Sequence, residues 1–221
     1  MRLCILRGGN VLITLDIDDT LYLERDYVLS GFHAVDAWLH ANGHGFDFAN
    51  KAWALFEQGL RGTIFNQVMA EKAHRDAGLI SQMIEIYRSH SPCISLLPDA
   101  KSFFQSCGNH DLAVISDGPF MAQERKVIAL GLNNYVNTII LTDRWGREFW
   151  KPSPRAFREV MEQRAPEECV YIADNPEKDF IAPVTLGWQP SFRVRRQHSL
   201  HELKITPKNC REIVSLNDLK L

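Results

Sequence analysis

The chain has 221 residues, of which 45% are hydrophobic and 24% are charged, and its formal net charge at pH 7 is −2. This composition is typical of a soluble globular protein, with room for one large domain or for a core domain that carries an insert. The small net charge gives no basis for binding nucleic acid or an anionic membrane. No apolar run approaches the ~20 residues of a membrane helix, and the N-terminus lacks the apolar core of a signal peptide. The five cysteines are scattered, so we predict a cytoplasmic protein with reduced thiols.

The first strong strand prediction ends in a run of acidic residues. Residues 11–15 are apolar and rich in β-branched side chains, as in a buried parallel strand, and Asp16, Asp18, Asp19 and Thr20 follow at once. Two like charges about 4 Å apart repel by roughly 4 kcal/mol at an effective dielectric of about 20. Such a cluster is tolerated when a cation lies among the carboxylates or when one of them holds a proton. The alternative is a solvated acidic turn that caps the next helix.

A long helical region follows this strand. Apolar residues recur with helical spacing near residues 32–39, 48–60, 65–77 and 80–90, and we expect Gly78 to end the third helix. Roughly 70 residues of helix between two strands are too many for an ordinary crossover. We therefore predict a helical domain, residues 23–95, inserted into a core made of residues 1–22 and 96–221.

Strands and helices alternate after Pro98. Strands are predicted at residues 112–116, 138–142, 169–173 and 191–195, and helices at residues 99–107, 120–130, 154–164 and 176–186. This alternation predicts an α/β fold with a doubly wound parallel sheet. Arg193, Arg195 and Arg196 lie on or beside the last predicted strand, and we interpret them as protection of an exposed sheet edge.

Aspartate follows the end of four predicted strands, at Asp16, Asp117, Asp143 and Asp174. Because the carboxyl ends of parallel strands share one edge of an open α/β sheet, carboxylates from distant parts of the chain can meet there. Aspartate in this place is also a common helix cap, so Asp117 or Asp143 alone means little. The charge-rich segments, Asp16 to Asp19 and Asp174 with Asp179, supply the oxygen ligands that suit Mg²⁺, an ion that usually works with a phosphate.

The same edge also offers donors for an anionic substrate. Ser116, Asp117 and Gly118 provide a hydroxyl group and backbone N–H groups just before a helix. Lys151 follows a loop and precedes a helix on this edge, which favours a phosphate contact over an ordinary surface lysine. Arg61 lies between two predicted helices of the insert, where it is either a side chain that reaches the site or a solvated loop arginine.

These motifs resemble those of the haloacid dehalogenase-like (HAD) superfamily of hydrolases. Its first motif, D-x-D-x-T, matches residues 16–20, and its strand-terminal Ser or Thr matches Ser116. The motif lysine matches Lys151 in KPSP, and the final acidic pair matches Asp174 and Asp179 in ADNPEKD. Ala173 departs mildly from the glycine that usually precedes the fourth-motif aspartate. The helical insert has the position of the superfamily's C1 cap.

The resemblance implies a Mg²⁺-dependent phosphatase with a Rossmann-like core. Asp16 is then the nucleophile that forms an aspartyl-phosphate, and Asp18 is the general acid and base. Mg²⁺ is expected on the Asp16 carboxylate, the Asp18 backbone carbonyl and Asp174, with Asp179 supporting the metal-bound waters. Ser116, Lys151 and the 117–118 backbone bind the phosphoryl group. Asp19 is expected to be structural, and Thr20 either holds Asp18 or caps a helix.

Two alternatives to a phosphatase remain from the sequence. A sugar phosphomutase of the same superfamily uses the same two aspartates, although such mutases usually carry Gly where this chain has Asp19. A non-catalytic phosphate-binding regulatory module would be expected to lose one of Asp16, Asp18, Lys151 or Asp174, and all four are present. Asp18 argues against a haloacid dehalogenase. We expect a small phosphate ester as the partner, and the sequence indicates neither which ester nor an oligomeric state.

Overall fold

The structure is a computed structural model that describes residues 4–5, 10–70, 76–188 and 190–220. The chain forms two compact units, one of residues 1–25 with 95–221 and the other of residues 26–94. Within the described ranges, no helix combines the length and the apolar character needed to cross a membrane.

The first unit is built on a parallel sheet of six strands, which confirms the predicted fold class. The strands along the chain are β1 (Cys4–Ile5), β2 (Leu12–Leu15), β3 (Asp111–Ser116), β4 (Thr138–Leu141), β5 (Cys169–Ala173), β6 (Ser191–Val194), β7 (Cys210–Ile213) and β8 (Leu219–Lys220). The large sheet has the order β4-β3-β2-β5-β6-β7, while β1 pairs with β8 in a separate parallel pair. Strand β2 therefore lies between β3 and β5, at the point where the order of the strands reverses.

Eight α-helices are found in the described residues. They are α1 (Glu24–Ala41), α2 (Phe48–Glu57), α3 (Ile64–Ala70), α4 (Ala77–Ser89), α5 (Pro98–Ser106), α6 (Phe120–Leu130), α7 (Arg155–Met161) and α8 (Ile181–Thr185). The second unit contains α2, α3, α4 and nearly all of α1, and the helices from α5 onward belong to the first unit.

The central strands are buried because helices cover both faces of a parallel sheet. All four residues of β2 and all five of β5 are buried. Aromatic side chains pack between α7 and the sheet. The Phe157 ring of α7 packs edge-on against Tyr171 and Trp188, with distances of 4.9 Å and 5.5 Å between ring centroids. This well-packed core fixes the position of the strand ends that carry the acidic residues.

The helical unit has its own aromatic core. The Phe48 ring lies 5.9 Å from Phe32 and 5.3 Å from Phe65, and the Phe65 ring lies 5.6 Å from Tyr87. The helical spacing in this part of the sequence is therefore that of side chains packed within the unit.

The helix predicted at residues 176–186 is shorter in the structure. It begins only at Ile181, because the preceding residues form a hydrogen-bonded turn. The Asp179 carboxylate accepts the backbone N–H of Asn175, and the Asn175 side chain accepts the N–H of Glu177. Such side-chain bonds to the backbone compete with the helical pattern.

Two other predictions also differ from the structure. Gly78 does not end a helix but lies in the first turn of α4, whose N-terminus the Asp76 side chain caps. Residues 71–75 of the predicted third helix lie outside the described residues.

Strand β6 is not a sheet edge, because β7 pairs with it, and Arg193 is accordingly fully buried.

We expect Phe157→Ala to lower the free energy of unfolding by about 3–5 kcal/mol, the usual cost of a large cavity in an aromatic core. Leu203→Ala is the control, since Leu203 is 96% exposed and its truncation should change stability by no more than about 0.5 kcal/mol. Urea unfolding followed by tryptophan fluorescence measures both values. Equal stabilities of the two variants would contradict the described core.

Candidate active site

The acidic residues converge because of the order of the strands. Asp16 follows β2 directly, Ser116 is the last residue of β3, and Asp174 follows β5 directly. The pairing register aligns Leu15 with Val114 on one side and with Ile172 on the other. Asp16 therefore lies between the ends of its two neighbouring strands, at the edge where ligands bind in open α/β folds.

Lys151 places a buried positive charge beside Asp16. Its ammonium nitrogen lies 2.7 Å from Asp16 Oδ1 and 2.8 Å from Asp179 Oδ1, and it donates to the Tyr171 hydroxyl oxygen at 3.1 Å. Burial by itself lowers the pKa of Lys151, but Asp16 and Asp179 outweigh it and raise that pKa well above its ordinary value. The side chain is therefore a permanent cation.

Three carboxylates lie close together at this place, and two of them, Asp16 and Asp179, contact the lysine. One oxygen each from Asp16, Asp174 and Asp179 lies within 4.8 Å of the others, and all three residues are buried. Burial raises the pKa of Asp16 to about 7, and burial together with the charges of Asp179 and Asp16 raises the pKa of Asp174 well above its ordinary value. Full ionisation of the three carboxylates would thus put more negative charge in the cluster than Lys151 balances, and burial with mutual repulsion opposes it.

One atom of the cluster has no partner in the part of the chain that the structure describes. Asp174 Oδ2 is buried and accepts no hydrogen bond there. A buried carboxylate oxygen without a donor costs free energy unless a cation coordinates it. Carboxylate oxygens that lie close together and are not all hydrogen-bonded are suitable ligands for a hard divalent cation such as Mg²⁺.

The Asp18 side chain is not part of this trio. Its Oδ1 is 2.7 Å from the Lys126 ammonium nitrogen and also accepts the Tyr22 hydroxyl, and its Oδ2 accepts the Gln123 amide N–H at 3.1 Å. Burial opposes ionisation of Asp18, but Lys126 and the hydrogen bonds together hold its pKa below the ordinary value. Asp18 is therefore an oriented carboxylate in this structure.

The Asp117 side chain is bound by protein groups. Its carboxylate accepts the Thr142 hydroxyl at 2.8 Å and the Lys151 backbone N–H at 3.1 Å, and it lies 2.8 Å from the Lys178 ammonium nitrogen. Burial opposes ionisation, yet Lys151 and Lys178 hold the pKa of Asp117 below its ordinary value. Asp117 thereby fixes the backbone from which Lys151 extends.

Gly118 is needed for a steric reason. It has φ +128°, and a Cβ atom at this position would lie 2.6 Å from Gln123 Nε2. The Gln123 amide in turn accepts the Ser116 hydroxyl at 3.1 Å. A side chain at Gly118 would displace the group that connects Ser116 to Asp18.

Asp19 has a structural position, as expected. It adopts φ 52°, and its carboxylate accepts the backbone N–H of Glu24 at 2.8 Å and of Leu200 at 2.7 Å. Neither interpretation of Thr20 is seen, because its buried hydroxyl makes no hydrogen bond within the described residues. Asp143 binds the Phe120 backbone N–H and the Trp150 indole N–H, which makes it a loop anchor.

Arg61 is held within the helical unit. Its guanidinium carbon lies 3.7 Å from the centroid of the Phe56 ring, and one of its nitrogens donates to the carbonyl oxygens of Phe56 and Leu60 at 2.7 Å. In this conformation its hydrogen bonds stabilise the end of α2.

Sequence reasoning missed the site contacts of several residues, four of them charged or amide side chains. Gln123 and Lys126 contact Asp18, Lys178 contacts Asp117, and Arg193 donates to the Asp174 backbone carbonyl at 3.0 Å. The available signal was the spacing of α6, where Gln123 and Lys126 fall on the same helical face as the buried Ala122, Val127 and Leu130. A polar pair on a buried face needs a buried partner.

Comparisons with known proteins agree with this arrangement. The family model for haloacid dehalogenase-like hydrolases matches residues 13–189, which is more than half of the chain. A phosphoserine phosphatase of Thermus thermophilus is 27% identical over 154 residues, 67% of this chain and 59% of that protein. A glyceraldehyde 3-phosphate phosphatase of Methanopyrus kandleri is 30% identical over 87 residues, 38% of this chain and 36% of that protein. The chain thus spans less than two thirds of the length of either curated relative.

A solved structure gives the fold over nearly the whole chain. A putative HAD-hydrolase of Bacillus subtilis bound to magnesium superposes with a TM-score of 0.67 at 16% identity, covering 96% of this chain and 97% of that one. At this identity the similarity concerns the fold.

We expect Asp174→Asn to stabilise the metal-free protein at pH 7.5. The pKa of Asp174 is raised on folding, so its ionisation opposes folding above its ordinary pKa of 3.8, and this cost disappears near pH 4. The gain should be on the order of 1–3 kcal/mol, the scale for a buried group without a partner. Thermal unfolding in EDTA measures it. The exposed Glu159 serves as control, since Glu159→Gln should change little. A less stable Asp174→Asn variant would contradict the described charge imbalance.

We also expect the apparent Mg²⁺ affinity to fall as the pH is lowered from about 8 to about 6. Protons compete with the ion for Asp16, whose pKa is about 7 without metal, so binding should release protons. Titration calorimetry in buffers of different ionisation enthalpy measures the release. An affinity that does not change over this range would exclude Asp16 as a ligand.

Proposed function

Because the chain belongs to the haloacid dehalogenase-like hydrolase family, we propose that it is a Mg²⁺-dependent phosphatase. Its substrate is a small phosphate monoester, such as a sugar phosphate, a nucleotide or a small acid phosphate. The observation that supports this most is the Asp16 carboxylate, 2.7 Å from the Lys151 ammonium nitrogen and clustered with Asp174 and Asp179. A nucleophile, a fixed cation and a set of oxygen ligands meet at one sheet edge.

Asp16 is the nucleophile of the first step. One of its carboxylate oxygens attacks phosphorus in line, the bond from phosphorus to the substrate oxygen breaks, and an aspartyl-phosphate forms. Asp18 is ionised without substrate, so it first takes up a proton, which a phosphate monoester monoanion can supply, and then donates it to the leaving oxygen, so that an alcohol departs. In the second step Asp18 takes a proton from water, which attacks phosphorus and releases phosphate from Asp16.

The phosphoryl oxygens need donors that are in place before the reaction. Lys151 is fixed by its two carboxylate contacts and by the Asp117 bond to its backbone N–H. The Ser116 hydroxyl, which donates to Gln123 in this structure, would turn to the phosphoryl group, and the backbone N–H groups of Asp117 and Gly118 add further donors. Preorganised donors of this kind stabilise charge as it moves to the phosphoryl group.

The residues that would hold Mg²⁺ are the Asp16 and Asp174 carboxylates and the Asp18 backbone carbonyl, with Asp179 supporting bound water. When bound, the ion supplies positive charge that screens the anionic substrate from the anionic nucleophile. The unpartnered Asp174 Oδ2 supports this assignment.

We propose that the helical unit, residues 26–94, acts as a cap that selects the substrate. Water exclusion by a closing cap favours phosphoryl transfer over side reactions. Arg61 is the candidate contact from this unit, and it would have to leave the Phe56 ring to reach a substrate.

The proposal is tested by phosphate release from a panel of metabolite phosphate esters, with Mg²⁺ and with EDTA. We expect EDTA to abolish release and Asp16→Asn to lower it by about 10³-fold or more, the scale seen when a nucleophile is removed. Radiolabelled phosphate should be trapped on the acid-quenched wild-type chain and released by hydroxylamine, as an acyl phosphate is.

Glu159→Gln is the matched control, because it neutralises an exposed carboxylate away from the cluster. It should retain full activity. Phosphate release that persists in EDTA or in Asp16→Asn would exclude the mechanism. An isomerised sugar phosphate formed without free phosphate would instead identify a mutase.

A further inference from the structure

Two polar side chains on the buried face of α6 surround Asp18. Gln123 and Lys126 are each only 3% exposed. A buried ammonium or amide group costs free energy unless it is paired, so these positions would normally carry apolar residues. The described contacts of both side chains lead to the candidate active site.

The Gln123 amide connects two parts of that site. Its oxygen accepts the Ser116 hydroxyl at 3.1 Å, and its nitrogen donates to Asp18 Oδ2 at 3.1 Å. A carboxylate accepts hydrogen bonds only, so the amide nitrogen must face Asp18 and the orientation of the amide is fixed. Lys126 binds the other carboxylate oxygen at 2.7 Å. Together with the Tyr22 hydroxyl, which also donates to Oδ1, Lys126 and Gln123 set the plane and direction of the Asp18 carboxylate.

The neighbouring loop is shaped around the same amide. Gly118 has no side chain where a Cβ atom would lie 2.6 Å from Gln123 Nε2. Asp18 and the end of β3 therefore meet at Gln123, although Asp18 and Gln123 are 105 residues apart in the sequence. A pair that served stability alone would gain nothing from this arrangement, since apolar residues often stabilise such positions as well or better.

We propose that Lys126 and Gln123 are positioning residues that orient the Asp18 carboxylate for its transfers of protons. The inference rests on the proposed function, because it takes Asp18 as the group that protonates the leaving oxygen. Neither residue needs to touch the substrate. Lys126 acts through Asp18, and Gln123 acts through Asp18 and also binds Ser116, so their removal should affect most the steps in which Asp18 supplies or takes a proton.

The test compares two leaving groups in Lys126→Met and Gln123→Leu. For an alkyl phosphate from the panel, whose leaving oxygen needs a proton, we expect kcat/KM to fall by about 10- to 100-fold, within the range of general acid catalysis. For p-nitrophenyl phosphate, whose phenolate leaves without a proton, the loss should be less than about threefold. The Mg²⁺ concentration that gives half-maximal activity should not change.

A double-mutant cycle adds a second measurement. In the Asp18→Asn background, Lys126→Met should cause little further loss with the alkyl phosphate, because its proposed role depends on the Asp18 carboxylate. This double variant removes both charges of the ion pair, which avoids the unpaired buried charge of Lys126→Met alone. Gln123→Leu is neutral, so it carries the leaving-group test if Lys126→Met does not fold.

Equal losses with the two substrates, or a comparable further loss in the Asp18→Asn background, would show a general structural role and overturn the inference. A wild-type chain that is active and responds to Asp16→Asn keeps the proposed function intact in that case. A wild-type chain that releases no phosphate from any ester would overturn the proposed function and the inference together.

Discussion

Three buried carboxylates lie within 4.8 Å of one another while a buried ammonium group contacts only two of them, and the candidate site depends on this imbalance. Lys151 neutralises part of the charge through its contacts with Asp16 and Asp179, and Asp174 keeps an oxygen without a donor in the described residues. Packing does not require this arrangement, since apolar residues of similar volume would be at least as stable. The free energy that it costs in the metal-free protein is the free energy that a bound cation can recover.

The sheet makes such a cluster possible, and an outer ring of contacts keeps it in place. The order β3-β2-β5 brings three strand ends together. Behind them, Arg193 binds the Asp174 backbone carbonyl, and Asp117 binds the Lys151 backbone N–H. These contacts fix the backbone, so the charged side chains cannot relax apart. Rigid support of this kind is what separates a functional cluster from a solvated acidic turn.

The sequence was sufficient for five strands of the large sheet, their parallel arrangement and the motif residues, because each has a local signal, but it missed β7 and β8. Apolar runs identify the strands, and Asp16, Lys151 and Asp174 stand where such runs or loops end. The turn at residues 176–180 was missed because the Asp179 side chain bonds locally to the backbone, which no helical periodicity reveals. Lys126 was missed because its partner lies 108 residues away, and only the fold shows that the two meet. Arg193 was misplaced for the same reason, since β7 covers its strand.

The sequence distances within the site also bear on when it forms. Asp16 and Lys151 are 135 residues apart, and Asp19 reaches across 181 residues to the backbone of Leu200. Contacts of such high sequence separation cost the most chain entropy and slow folding. During synthesis the first acidic loop is made well before its cation and its last backbone donor. Its carboxylates thus depend on solvent until those later segments have been added.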